Sequence, residues 1–288
     1  KCINKWICLS LLIAVSCVSG CGKTSAVIEQ PYDVYATAAD FGLSSNGSAE
    51  AKSYFASDLC VSEDVAIGTD STDSQVAEGA GPFNLETNTV VYAKNLYERL
   101  YPASTTKILT AYIALKYCDD LDAMVTVSEN AVNQASDSSV CNLKAGDVIR
   151  LRDLLYGLML RSGNDAAVAI AEYISGDVDS FAALMNQEAA AMGATRSHFV
   201  NPNGLPDENH YTCVYDMYLI FSNAVKNDTF VSIIGTTSYD VTYTDASGEA
   251  VTHTWENTNQ YLTGNATTPD GFQIVGGKTG TTGEAGYC

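Results

Sequence analysis

Ser104 and Lys107 stand three residues apart in PASTTKILTAYIAL, residues 102–115, a spacing that puts both on one face of a helical turn. A hydroxyl becomes a nucleophile when a neighbouring base takes its proton, and a lysine becomes that base when burial and the positive end of a helix dipole disfavour its charged form. Of the ten lysines in the chain, only Lys107 has a serine three residues before it. Taken alone the pair also fits a plainer reading, with Ser104 or Thr105 as an N-cap and Lys107 as a solvated charge.

Two further stretches carry side chains suited to chemistry. LRSGNDAA sets Ser162, Gly163 and Asn164 in a short break between two apolar helical patterns, where polar groups can project from the connection. GGKTGTT sets Lys278, Thr279, Gly280 and Thr281 on an expected late strand, whose glycines leave room for another backbone to approach. Each has an ordinary alternative: Asn164 as a helix cap, and Lys278 as a lysine that blunts a sheet edge.

The elements that must hold these residues follow from periodicity. Ile108, Leu109, Tyr112, Ile113 and Leu115 recur at helical spacing behind Pro102, so a helix is expected to begin near Ser104. Before it, GPFNLETNTVVYAKN reads as a hairpin turning at Glu86-Thr87-Asn88. From Val125 to about Lys226 the pattern is mainly helical, most clearly over 151–160, 165–174, SFAALMNQEAAAMG closed by Gly193, and a segment starting at Asp216. Beyond Val231 it alternates as strands do, in TTSYDVTYT, a Ser247-Gly248 turn, AVTHTW and FQIVGGKTGTT. Strands, a helix, a helical block and strands again imply an α/β (α+β) sheet domain with a helical insertion over about 125–230.

Composition sets the outer bounds. The 288 residues are 46% hydrophobic and 17% charged, ordinary for a globular chain, and the formal charge of −19 opposes nucleic acid or an anionic membrane as an electrostatic partner. Residues 1–20, with Lys1 and Lys5 ahead of an apolar run from Trp6 to Val18, read as a signal for export. Val18-Ser19-Gly20-Cys21 resembles the lipobox of bacterial lipoproteins, which would make Cys21 the lipidated residue; ordinary cleavage near Gly20 is the alternative. Residues 21–58 then read as the lipidated cysteine and a tether, with the folded domain over 59–288. GCGKTS fails as a phosphate loop, because residue 17 is cysteine where glycine is required. Cys60, Cys118, Cys141, Cys213 and Cys288 are odd in number and lack C-x-x-C spacing, so they read as mostly buried thiols. His198, His210 and His253 have no metal-ligand spacing, and no metal or other cofactor is expected.

Ser-x-x-Lys, Ser-x-Asn and Lys-Thr-Gly in this order resemble the motif set of active-site-serine penicillin-binding proteins and related β-lactamases. Ser44-Ser45-Asn46 lies ahead of Ser104 in the tether, and Ser128-Glu129-Asn130 reads as a helix start, which leaves Ser162 as the serine of the second motif. PASTTKILTA, DLLYGLMLRSGNDAA, FVNPNGLPDENHYT, NTNQYL and GGKTGTTGEAGY narrow the resemblance to serine-type D-alanyl-D-alanine carboxypeptidases, the low-molecular-mass penicillin-binding proteins. The resemblance implies a β-lactamase/D,D-peptidase-like fold, an antiparallel sheet flanked by helices, and a chain incomplete at its C-terminus.

It also implies roles. Ser104 would be the acylated nucleophile, Lys107 its base and Ser162 the proton relay to the leaving D-alanine. Asn164 would hold the substrate amide, Lys278 would supply a positive field, and Thr279, in the Lys-Thr-Gly motif with Gly280, would bind the terminal carboxylate. The amides of Ser104 and Thr281 would hold the oxyanion. The implied partners are peptidoglycan stem peptides ending in D-Ala-D-Ala and inhibitory β-lactams, and the implied place is the outer face of the bacterial cytoplasmic membrane, in cell-wall and cell-shape maintenance. A β-lactamase and a β-lactam sensor are the rivals. Nothing from Asp165 to Gly277 resembles the Glu-x-x-Leu-Asn segment of the first, and the second needs membrane helices for signalling.

Overall fold

The computed structural model describes residues 56, 58–63, 65–67 and 77–288. The expected signal peptide, Cys21 and nearly all of the expected tether lie outside the described residues. The body of the fold falls in one compact unit, Asp58–Cys288.

The expected hairpin forms as β1 (Phe83–Asn84) and β2 (Thr89–Val90), which pair antiparallel across Leu85–Asn88. The chain then enters a 3-10 turn, Ala103–Thr106, that runs directly into helix α1, Lys107–Tyr117. Ile108, Leu109, Ala111, Ile113 and Ala114 are all buried, and α1 packs against five other helices, so apolar contacts surround it on nearly every side. A helix apolar all round belongs in the middle of a core. That placement decides the environment of Lys107, at its first position.

The block that follows is helical as expected, but it opens with two three-residue strands that periodicity does not disclose. These are β3 (Met124–Thr126) and β4 (Val148–Arg150), with the one-turn helix α2 (Glu129–Val132) between them. Ser128 caps α2 by accepting the Ala131 amide at 2.9 Å, as its sequence context suggests. Then come α3 (Leu151–Leu160), α4 (Asn164–Ser175), α5 (Val178–Ala191), α6 (Val214–Ala224) and α7 (Asp228–Ile234). α6 starts two residues ahead of Asp216, because Cys213 takes the cap position.

β5 (Ser238–Thr244) and β6 (Ala250–Glu256) pair over their whole length, and β4 joins β5 at Val148↔Thr244, giving an antiparallel sheet in the order β3-β4-β5-β6. Val241, Tyr243 and Trp255 face inward while Ser238, Asp240 and Thr242 are exposed, the alternation of a sheet with one wet face. α3 lies on the buried face, with Tyr156 stacked on Tyr239 at 3.7 Å and Gly157 lying against Trp255.

Of the expected late strand over 272–282, only Thr281–Thr282 forms. The ladder begins only where Gly280 and Cys288 exchange backbone bonds, and β7 (Thr281–Thr282) pairs with β8 (Gly286–Tyr287). Gly276 explains part of this: its φ of +151° lies far from strand values, and a Cβ there would meet the Ile234 carbonyl at 2.5 Å. The segment docks on the end of α7 instead of joining the sheet.

Candidate active site

The site is built where the 3-10 turn meets α1. Ala103 carries a left-handed φ of +46°, uncommon for a residue with a Cβ, and thereby turns the chain sharply before Ser104. The turn is backed by Gly204 (φ +88°), whose Cβ, if it had one, would sit 1.8 Å from the Ala103 carbonyl oxygen. Only glycine fits there. Neither Ser104 nor Thr105 acts as a cap, since the cap position is Pro102 and carries no side-chain bond.

Lys107 is completely buried, which removes the solvated-charge alternative. Its Nζ lies 2.9 Å from Ser104 Oγ, 2.8 Å from Asn164 Oδ1 and 2.6 Å from the carbonyl of Asn203. Burial above all holds its ammonium form well below the usual lysine range; the Lys278 charge adds to this, while Cys141 and Asp165 oppose it. A neutral amine has two N–H donors and one lone pair. The two carbonyl oxygens can only accept, so they take both donors, and the lone pair is left for the Ser104 hydroxyl. The geometry thus aims a base at a nucleophile.

Asn164 does not lie in the break between helices; it is the first residue of α4, with Gly163 as its N-cap. Ser162 precedes it in the left-handed region (φ +59°) and is buried against the cleft. Asp165 fixes this corner by accepting the amides of Cys141, Leu143 and Ala166 at 2.9–3.1 Å, which ties the loop after α2 to the start of α4. A Cβ on Gly163 would meet Cys141 Sγ at 2.4 Å, so that tie also requires glycine.

Opposite lies the 279–281 segment. A Cβ on Gly280 would come within 3.0 Å of the Ser104 amide nitrogen, so glycine permits the close backbone approach that the sequence suggested. Gly280 and Cys288 exchange both backbone bonds, at 3.0 and 2.8 Å, which makes Thr281↔Tyr287 the non-hydrogen-bonded pair and turns the Thr281 N–H away from the hairpin partner. β7 packs against the 3-10 turn, where the Ser104 amide is one of the first-turn donors without an intrahelical acceptor. Thr279 Oγ1 pairs with Thr258 Oγ1 at 2.9 Å.

Ser104, Ser162, Thr279, Gly280 and Thr281 line one cleft of about 470 Å³, together with Ser139, Thr258, Asn259, Gln260 and Tyr261. Lys278 does not. It lines a larger cavity of about 1160 Å³, donates to the Thr279 carbonyl, and its charge acts on Lys107. Burial pushes its own ammonium down to about 7. Sequence reasoning missed Ser139 and the Asn203 carbonyl; a backbone acceptor has no residue-type signal.

A serine held against a buried lysine amine, between a helical layer and a short β edge, is the arrangement of an active-site-serine acyl-transfer enzyme. Residues 69–288 match the family model described as Peptidase S11, D-alanyl-D-alanine carboxypeptidase, and the chain belongs to that family. It is 35% identical over 219 residues to D-alanyl-D-alanine carboxypeptidase DacF of Bacillus subtilis (strain 168), covering 74% of this chain and 52% of the relative. It is 36% identical over 222 residues to the D-alanyl-D-alanine carboxypeptidase of Streptomyces sp. (strain K15), covering 74% of each. The chain therefore spans about half of the Bacillus relative's length. Its fold is similar to the crystal structure of the Streptomyces K15 DD-transpeptidase, with a TM-score of 0.66 at 34% identity over 73% of this chain and 81% of that one. The D-alanyl-D-alanine carboxypeptidase DacD of Francisella tularensis aligns at 0.65 and 28% identity, over 79% and 64% of the two chains.

Proposed function

We propose that the protein is a serine-type D-alanyl-D-alanine carboxypeptidase that removes the terminal D-alanine from peptidoglycan stem peptides. The observation that carries this reading is the buried amine of Lys107, 2.9 Å from Ser104 Oγ, with both its N–H groups engaged elsewhere. Lys107 takes the hydroxyl proton as Ser104 Oγ attacks the penultimate carbonyl carbon. The amides of Ser104 and Thr281 hold the oxyanion. As the peptide bond breaks, Ser162 passes a proton to the departing D-alanine nitrogen, and Asn164, which orients Lys107, also holds the substrate amide. Thr279 binds the terminal carboxylate, which selects a C-terminal residue. Water then cleaves the acyl-enzyme.

The relatives named D-alanyl-D-alanine carboxypeptidases support this substrate class. β-Lactams acylate the same Ser104 and are slow to leave. Passing the acyl group to an amine instead of water is the second reading, favoured by the Streptomyces K15 DD-transpeptidase neighbours. The test is incubation of the full-length protein with a peptide ending in D-Ala-D-Ala. Many equivalents of D-alanine with a hydrolysed peptide support the carboxypeptidase, an amine-dependent product supports the transpeptidase, and one equivalent or less overturns both.

We also propose that Cys21 carries a lipid that holds the protein on the outer face of the cytoplasmic membrane, on the strength of Val18-Ser19-Gly20-Cys21 behind an export-type segment. Loss of membrane association in Cys21→Ser supports this. Unchanged fractionation, with no lipid mass on the N-terminal peptide, overturns it.

A further inference from the structure

The loop from Phe199 to His210, between α5 and α6, presses on the end of the 3-10 turn and the first turn of α1 at three buried points. The Asn203 carbonyl accepts from Lys107 Nζ at 2.6 Å, the Pro202 carbonyl accepts from Thr110 Oγ1 at 2.7 Å, and His210 Nε2 meets Thr106 Oγ1 at 2.9 Å. His210 is fully buried. Its tautomer follows from its partners: the Val200 amide donates to Nδ1 at 3.1 Å, so Nδ1 must accept and Nε2 carries the hydrogen that goes to Thr106. The imidazole therefore joins the start of the loop to the residue just before Lys107.

The rest of the loop is built to keep that bridge. His198 and Tyr211 exchange backbone bonds at its base, Asn186 takes both backbone groups of Phe199, and the Phe199 ring meets the imidazole edge-on at 5.5 Å. Asn201 Oδ1 accepts the Gly204 amide and Asn203 Oδ1 the Leu205 amide, shaping the apex that carries the Asn203 carbonyl.

We propose that His210 is a positioning residue for proton transfer from Ser104, bridging Val200 and Thr106 so that the Asn203 carbonyl stays against Lys107. This rests on the reading of Ser104 and Lys107 given above. Without the bridge the loop apex is free to lift, Lys107 loses one of the two acceptors that orient its lone pair, and water reaches the amine. Admitting water weakens the burial that disfavours the ammonium form, so more of the base is protonated at a given pH. The titratable groups acting on Lys107 are Lys278 from the 276–280 segment, Asp165 from α4 and Cys141 from the loop after α2; those acting on His210 are Asp207, His198 and Lys107. None of these is altered by the variants below except Lys107 itself, through its position.

The test compares the parent full-length protein with His210→Ala, His210→Gln and Thr106→Val. The readouts are melting temperature and the rate of Ser104 acylation by a fluorescent penicillin across pH. His210→Ala and Thr106→Val are expected to slow acylation at neutral pH about 10- to 100-fold and to move its acid limb upward by about one pH unit. His210→Gln, whose amide oxygen and nitrogen can serve the same two partners, is expected to restore both rate and limb. Should His210→Ala not fold, the near-isosteric Thr106→Val carries the same test. Variants with lower melting temperatures but an unmoved rate and limb would make His210 a structural residue only and overturn the proposal, as would a His210→Gln protein that folds yet behaves like the alanine variant. A parent never acylated at Ser104 overturns the underlying reading, whereas a normally acylated parent with indifferent variants overturns this inference alone.

Discussion

The two walls of the cleft are made differently. On one side Lys107 is fully buried, and three oxygens from the 3-10 turn, α4 and the 199–210 loop surround its amine. On the other, Thr279 and Thr281 sit on a segment with a two-residue strand, several glycines and an exposed hydroxyl pair at Thr258 as its lateral tie. The first wall is part of the core and the second is a lightly held edge. A base must be dry and oriented before substrate arrives, because its pKa depends on burial. An edge that receives a peptide can be ordered by the peptide itself, at the low-stability end of the structure. On the proposed reading, the contrast separates what makes the reaction possible from what chooses the substrate.

If that division holds, damage to the first wall should act on acylation by any acyl donor. Lys107→Met, similar in volume but without a proton acceptor, is expected to slow acylation of Ser104 by both penicillin and peptide by about 10³-fold or more, measured as the rate of adduct formation. An equal loss with both donors fits a base; a loss confined to peptide would blur the two walls.

The same wall should make the fold acid-sensitive through His210, whose protonation is pushed down from 6.5 to about 4 by burial. Between these values the unfolded chain binds a proton that the folded chain does not. The contribution is therefore complete above about pH 6.5 and fades as pH falls toward 4, by about 3 kcal/mol in all. Urea unfolding of the parent and of His210→Gln from pH 7 to pH 4 is expected to show the glutamine protein losing less stability by roughly that amount.

Damage to the second wall should act on substrates with a free carboxylate. Thr279→Val is expected to cost roughly 1.5–3 kcal/mol in kcat/KM for a D-Ala-D-Ala peptide, a charge-assisted bond lost, and far less for an ester substrate without a terminal carboxylate. Equal losses would place Thr279 with the catalytic wall.

The smallest effect is a control on both. Asn227 caps α7 by accepting the amides of Thr229 and Phe230 at 2.9 and 3.1 Å. Asn227→Ala is expected to lower stability by about 1 kcal/mol in urea unfolding and to leave the penicillin acylation rate unchanged.

The residues of the first wall were legible in sequence because three short motifs, each weak alone, stand in the order of the family the chain resembles and at the heads of strongly periodic elements. α3 occupies 151–160 as its apolar pattern predicts, and Ser104, Lys107, Ser162 and Asn164 lie where α1 and α4 begin. What stayed hidden depends on distant pairing or on backbone atoms. β3 and β4 are three residues each and belong to a sheet completed some ninety residues later, at Val148↔Thr244. The Asn203 carbonyl and the left-handed Ala103 leave no trace in residue type. His210 has no metal-ligand spacing, and its two hydrogen bonds, to Thr106 and from the Val200 amide, join residues too far apart in sequence to leave a motif. The Lys278 segment misled for the opposite reason: its alternation reads as a strand, but Gly276 and the end of α7 hold it out of any ladder until Gly280, where a separate two-stranded hairpin begins.

The most direct test of the central claim, a neutral Lys107 serving Ser104, is the pH dependence of acylation in the full-length protein, with the adduct located by mass spectrometry. The account expects the penicilloyl group on Ser104 and a rate that reaches its plateau well below the ordinary lysine value of 10.5. An adduct on any other residue, or a rate still climbing through pH 10, would contradict it.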